Sequence, residues 1–221
     1  MRILTPVFLA VIFLGAAFSL LPAQDKSKLL KMEKDSDNDG VVDTWNYVNN
    51  QNVIELIEQD QNGDGKIDKW RHFTPDGKPS KILVDSDFDG DVDDSTIYDE
   101  NGNKIRAEKD TDNNDKVDQW QYFDPESGNL LRVEIDSKGK GVDKTVFYNA
   151  GGQKERMEAD ANGDGKVDQW VSYYPSGKMQ EIGYDTDKSG KPNVWQQFNE
   201  DGSKGKAGFD TDGDGKPDKW Q

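Results

Sequence analysis

Asp60-Gln61-Asn62-Gly63-Asp64-Gly65-Lys66-Ile67-Asp68-Lys69-Trp70 is the stretch that decides how the chain is read. Oxygen-bearing side chains stand at its positions 1, 3, 5 and 9, with glycine at 6, an apolar residue at 8 and tryptophan at 11. The opening aspartate recurs at Asp35, Asp60, Asp85, Asp110, Asp136, Asp160, Asp185 and Asp210, in steps of 25, 25, 25, 26, 24, 25 and 25 residues. So regular a period marks one supersecondary unit copied along the chain. Trp45, Trp70, Trp120, Trp170, Trp195 and Trp220 hold the same place in six units, and Ser95 and Thr145 stand near it in the other two.

Oxygens at alternate positions around a glycine suit a hard cation. Ca2+ takes six to eight oxygen ligands in flexible geometry, position 7 offers a backbone carbonyl, and glycine permits the left-handed turn that wraps the chain round an ion. The candidate ligands of the complete loops are Asp35, Asp37, Asp39 and Asp43; Asp60, Asn62, Asp64 and Asp68; Asp85, Asp87, Asp89 and Asp93; Asp160, Asn162, Asp164 and Asp168; and Asp210, Asp212, Asp214 and Asp218. A further loop, with Asp110, Asp112, Asn114 and Asp118, has Asp115 in place of the glycine, a residue type that tolerates positive φ. The loop with Asp185, Asp187, Ser189 and Asn193 has lost two acids and is expected to bind less tightly. The Asp136 loop is one residue short, carries Lys138 and Lys140 where ligands belong, and is expected to bind nothing. The expected load is about five to seven Ca2+ ions. A single loop of this kind reads equally well as a solvated turn, because Asp, Asn and Gly favour turns without any metal. Five complete copies in phase favour ligation, since turn formation does not require the whole pattern each time.

The flanks exclude an EF-hand, which needs helices and a glutamate at position 12. Position 12 here holds Asn46, Arg71, Gln121 and Val171. Before the loops, apolar residues alternate with charged ones, as in Leu131, Val133 and Ile135, or Ile82 and Val84. After them come Trp70 and Phe73, or Trp120, Tyr122 and Phe123. Both are strand signals. Thr74-Pro75-Asp76-Gly77, Asp99-Glu100-Asn101-Gly102 and Glu200-Asp201-Gly202 read as hairpin turns closing the units, with a looser Asn49-Asn50-Gln51-Asn52 in the first. The expected fold is all-β: strand–loop–strand hairpins forming a curved antiparallel meander, with a closed barrel or small propeller as the alternative. Acidic loops should line one rim and glycine turns the other, with one face apolar and one charged.

Composition narrows the class. The chain has 221 residues, a net charge of −16, 33% charged and 32% hydrophobic residues, and no cysteine. A large compact core and disulfides are thereby excluded, and the acidity argues against nucleic acid as a partner. Arg2 followed by the apolar run from Val7 to Leu21 reads as an export signal over residues 1–23, leaving an eight-repeat domain over 24–221. An uncleaved membrane anchor is the alternative, and the only route to the membrane that the sequence offers. The expected location is the periplasm, the cell surface or the medium. The one histidine, His72, sits on a strand position that other units fill with Tyr122 or Ser172, and no unit departs from the pattern in a way that adds an active site; no enzyme is expected.

Asp160-Ala161-Asn162-Gly163-Asp164-Gly165-Lys166-Val167-Asp168 resembles the calcium loops of integrin-type FG-GAP repeats and thrombospondin type 3 repeats, which lack the twelfth-position glutamate. Tyr98-Asp99-Glu100-Asn101-Gly102 is similar to the hairpins of RHS-type (YD-repeat) shells in bacteria. The chain departs from thrombospondin repeats in lacking their cysteines, and its units are shorter than FG-GAP blades. The resemblance implies calcium on a β repeat of a bacterial envelope or secreted protein. The expected role is structural or adhesive, with a protein or glycan surface as partner. The alternative is a calcium-dependent carbohydrate-binding module using the Trp and Tyr rows.

Overall fold

The computed structural model describes residues 25–221; the expected export signal lies outside the described residues. After a single 3-10 turn at Lys26–Lys28, the chain forms sixteen strands in one antiparallel sheet whose spatial order is the order of sequence. They are β1 (Leu30–Lys34), β2 (Thr44–Val48), β3 (Ile54–Gln59), β4 (Lys69–Phe73), β5 (Pro79–Val84), β6 (Asp94–Tyr98), β7 (Lys104–Lys109), β8 (Gln119–Phe123), β9 (Leu130–Ile135), β10 (Lys144–Tyr148), β11 (Lys154–Ala159), β12 (Gln169–Tyr173), β13 (Met179–Tyr184), β14 (Val194–Phe198), β15 (Lys204–Phe209) and β16 (Lys219–Trp220). β1 pairs only with β2 and β16 only with β15, so the meander is open rather than a barrel.

Two connections alternate. Odd strands pass to even ones through the acidic loops, and even strands return through glycine turns. In the turn after β4, the Gly77 amide donates to Thr74 O at 2.8 Å and the Thr74 amide to Lys78 O at 2.8 Å, with Gly77 at φ 84°. The first unit makes the same turn with Asn52 at φ 61° in the glycine's place, so it is no looser than the rest. The pairing shifts by a bulge beside these turns, as between His72 and Phe73.

The division into an apolar and a charged face does not hold. Residues opposite one another in a ladder share a face, and Trp45, Glu58, Trp70, Leu83, Ser95, Glu108, Trp120 and Glu134 lie opposite one another in turn. The tryptophans therefore stand on the glutamate face. The other face interleaves Ile57, Ile82, Ala107, Val133 and Val171 with Arg71, Thr96 and Gln121. Among the described residues no second layer of strands covers either face, and each covers itself with amphipathic side chains. The Arg132 guanidinium lies 3.7 Å from the Tyr122 ring centre and that of Arg156 3.4 Å from Phe147. Buried Glu58 accepts from Tyr47 Oη at 2.8 Å and from Lys26, and buried Glu134 accepts from Tyr122 Oη at 3.0 Å and Arg132 Nε at 2.7 Å. Leu56, 1% exposed, anchors the N-terminal part of this face.

Further along the same row, Gly183 and Gly208 stand where the earlier units carry a larger side chain. A Cβ on Gly183 would lie 3.0 Å from Trp195 Nε1 and 3.1 Å from Pro192 Cβ; one on Gly208 would lie 2.9 Å from the Trp220 ring and 3.1 Å from Pro217 Cβ. These glycines let an indole and the position-8 proline close onto the strand.

Candidate metal centre

Each acidic loop is built by its own first and ninth residues, the eighth, Asp143, serving as the ninth in the shorter fifth loop. In the second loop, Asp60 accepts from the amides of Gly63 at 2.7 Å and Gly65 at 2.8 Å, and Asp68 from those of Gln61 at 2.6 Å and Asn62 at 3.2 Å. Asn62 Oδ1 takes the Asp64 amide and Asp64 Oδ1 the Lys66 amide, at 2.9 and 2.8 Å. Asp60 and Asp68 are buried at 7% and 1% exposure, as are Asp85 and Asp93 of the third loop at 2% and 4%; the position-3 and position-5 residues face solvent.

Backbone bonds fix these loops in a row. The ninth residue donates its amide to the last residue of the preceding strand, as Asp68 does to Gln59 O at 2.9 Å, and its carbonyl accepts from the first residue of the next loop, as Asp68 O does from the Asp85 amide at 2.8 Å. The same link joins Asp43 to Asp60, Asp93 to Asp110, Asp118 to Asp136, Asp143 to Asp160, Asp168 to Asp185 and Asn193 to Asp210.

Within each of the first four loops the structure gathers three of the expected ligands. Carboxylate oxygens of Asp35, Asp37 and Asp39, of Asp60, Asp64 and Asp68, of Asp85, Asp87 and Asp93, and of Asp110, Asp112 and Asp118 lie within 4.8 Å of one another in each set. The Asp160 loop repeats the second: Asp160 accepts from Gly163 at 2.6 Å and Gly165 at 2.6 Å, Asn162 from Asp164 at 2.9 Å, and Asp164 from Lys166 at 3.0 Å. Asp210 accepts from Gly213 and Gly215 at 2.7 and 2.8 Å, Asp212 and Asp214 from the amides two residues on, and Asp218 from Thr211. In the seventh loop Asn193 takes the ninth-position role by accepting from the Thr186 amide at 2.9 Å, while the Ser189 amide donates to Asp185 and Asp187 at 3.0 Å. The fifth loop keeps the frame without the ligands: Asp136 accepts from Lys140 at 3.0 Å and Gly141 at 2.9 Å.

The donor set fits a hard cation. Asp43 Oδ1 is buried with no donor in hydrogen-bonding geometry, while its Oδ2 accepts from the Ser36 amide at 2.9 Å. A buried carboxylate oxygen left in that state is costly, and a cation would supply its partner. Electrostatics differ among the loops. Burial pushes the Asp160 carboxyl up, but the amides of Gly165, Gly163 and Asp164, together with Lys138, hold it below its ordinary value. Burial raises Asp87, aided by the charges of Asp89, Asp93 and Asp85 against the pull of the Asp89 amide.

Two features were not read from the sequence. Position 4 takes positive φ as position 6 does: Asn38 (64°), Gly63 (77°), Phe88 (67°), Asn113 (56°), Gly163 (78°), Lys188 (63°) and Gly213 (81°). The recurrence of Gly and Asn there was the available signal. Asp115 does adopt φ 65° in the glycine's place, but its loop closes differently, through the Lys116 amide to Asp110 Oδ2 at 3.1 Å. The second feature lies between loops: Asp89 and Asp91 of the third come within 4.8 Å of Asp115 of the fourth. Burial, followed by the charges of Asp89, Asp91, Asp110 and Asp87, raises the Asp115 carboxyl.

No family model and no curated protein matches the chain. Among solved structures, an S. aureus TarM mutant in complex with Fondaparinux, alpha-GlcNAc-glycerol and UDP aligns over 50% of this chain and 20% of its own, at TM-score 0.34 and 8% identity. The Photorhabdus luminescens Tc holotoxin pore aligns over 78% of this chain and 10% of its own, at TM-score 0.28 and 13% identity. The GtfA/B complex bound to UDP and GlcNAc aligns over 59% and 22%, at TM-score 0.20 and 11% identity. The chain spans less than a quarter of each of these structures, and likenesses this distant carry no argument about fold or activity.

Proposed function

We propose that this is an exported calcium-binding repeat protein with a structural or adhesive role, in which Ca2+ in the acidic loops stabilises the sheet and a protein or glycan surface is the partner. One observation carries the reading: carboxylates are drawn to within 4.8 Å of one another in successive loops of a chain already at net charge −16. Divalent ions offset that repulsion, and the buried Asp43 Oδ1 gains a partner. At millimolar Ca2+ and a Kd near 0.1 mM each site contributes about 1.4 kcal/mol. Five to seven such sites reach about 7 to 10 kcal/mol, the size of a whole domain's stability. No enzymatic step is part of the proposal.

The test is a calorimetric Ca2+ titration of the metal-stripped protein, with tryptophan emission followed in parallel. Uptake of several ions with a blue shift supports the reading; no uptake, with an unchanged melting temperature, removes it. One feature favours a second reading, the calcium-dependent carbohydrate-binding module. A groove of about 200 Å3 is lined by Trp170, Gly183 and Trp195, with Glu158, Glu181 and Arg156 beside them. Glycan-array binding that quenches tryptophan emission in the presence of Ca2+ would move the function there.

A further inference from the structure

Lys138 occupies the third position of the fifth loop, where other loops carry a candidate ligand. Its ammonium does not face solvent alone. Nζ donates to Asp160 O at 3.2 Å and to Ala161 O at 3.3 Å, the carbonyls of the first two residues of the sixth loop. It also lies 3.7 Å from where a Cβ on Gly163 would stand, in a cleft between the two loops. The other ligand-poor loop does the same: Lys191 of the seventh loop donates from Nζ to Asp214 O at 3.4 Å, with its stem packed on Gly215 of the eighth. Both ligand-poor loops thus send a lysine forward onto the neighbouring loop's backbone, Lys138 from a ligand position and Lys191 from the position 7 that most loops fill with lysine.

We infer that Lys138 is a resident cation, an ammonium that ties the fifth loop to the sixth and keeps this junction closed when metal is withdrawn. The tether regulates the calcium dependence proposed above and rests on that reading. An ammonium bonded to two carbonyls supplies positive charge and donors at fixed cost, independent of free ion concentration. At the junction of the third and fourth loops, Asp89, Asp91 and Asp115 meet instead, and like charges at close range oppose closure. Removal of divalent ions therefore loosens the sheet unevenly: the rim opens between the third and fourth loops before it opens between the fifth and sixth.

Hydrogen exchange on the whole protein tests this, in 1 mM CaCl2 and in excess EDTA, comparing segments 85–118 and 136–168. In the parent, EDTA should speed exchange in 85–118 at least about tenfold more than in 136–168. Lys138→Met, which keeps the stem and removes the charge, should abolish that difference in EDTA, and CaCl2 should restore most of the protection; Lys138→Arg should behave as the parent. Equal loss of protection in both segments of the parent, or a Lys138→Met variant indistinguishable from the parent in EDTA, overturns the inference. If Lys138→Met does not fold, Lys138→Gln is read in the same way. Failure of the calcium reading looks different: EDTA then changes neither segment in the parent, while Lys138→Met against the parent still decides whether the tether exists.

Discussion

The junction between the third and fourth loops and the junction between the fifth and sixth share one backbone design and opposite chemistry. In both, the first amide of the later loop donates to the closing aspartate's carbonyl of the earlier one, Asp110 to Asp93 at position 9 and Asp160 to Asp143 at position 8 of its shorter loop, each at 2.8 Å. In the first, Asp91 and Asp115 stand where most units carry lysine and glycine, and carboxylates meet across the gap. In the second, ligands have been exchanged for a lysine that bridges the gap itself. On the calcium reading proposed above, metal dependence in this rim would be set by the side chains at two or three positions, on a hydrogen-bonded frame that tolerates either sign of charge.

The sharpest way to separate the two junctions is to remove the aspartates that close their earlier loops, Asp93 and Asp143. Asp93, 4% exposed, accepts from the Ser86 amide at 2.6 Å, the Ser86 hydroxyl at 2.8 Å and the Asp87 amide at 3.3 Å. Asp93→Ala should cost about 3 kcal/mol in urea unfolding with Ca2+ present, because amide donors are left without an acceptor and a candidate ligand is lost. Asp143→Ala, whose side chain accepts from the Ser137 hydroxyl at 2.5 Å, should cost less than half as much and show little dependence on Ca2+. Equal costs would break the comparison.

A smaller effect is expected from restoring the usual residue at position 7. Asp91→Lys removes one of three converging carboxylates and should raise the melting temperature in EDTA by about 2 °C, with a smaller change in CaCl2. A fall in EDTA would mean that the acids there are not in conflict. Phe88→Gly relieves a left-handed backbone at φ 67° in an aromatic residue that is 42% exposed. Relief of about 1 to 2 kcal/mol, less glycine's own entropy, should leave a gain of about 0.5 to 1 kcal/mol in thermal unfolding, largest without metal.

The smallest effect serves as a control away from both junctions. Burial, then the hydrogen bond to Glu58, pushes the Tyr47 phenol up to about 12. Its folded value lies above the unfolded one near 10, so its contribution to stability is complete below about pH 10 and is lost as pH rises toward about 12. Alkaline difference absorbance of Tyr47→Phe against the parent should show the loss of one late-titrating tyrosine, with or without Ca2+. A tyrosine titrating near 10 would contradict the buried contact.

Strands, turns and loops were legible because each is written in local residues: the alternation of Leu131, Val133 and Ile135 ahead of a loop, Pro-Asp-Gly at residues 75–77, and aspartate at fixed intervals. The face occupied by tryptophan was not. It depends on how the loop closes, and the bond from the Asp68 amide to Gln59 O sets Lys69 opposite Gln59 in the β3–β4 ladder, and thus Trp70 opposite Glu58. Position 11 then shares a face with position −2, a consequence of register rather than of periodicity. The meeting of Asp91 with Asp115 and the reach of Lys138 to Asp160 were hidden for the same reason, since both lie across stacked loops and 22 to 24 residues apart in the chain.

The open meander also fixes how the molecule would answer to force. Among the described residues every strand pairing runs between neighbours in sequence, with β1 and β16 at the two edges of the sheet. Tension applied through the two ends would load one ladder at a time, peeling strands in turn instead of shearing many bonds together. Lengthening such an array adds extension but not strength, so a chain of this design yields gradually and gives length before it breaks.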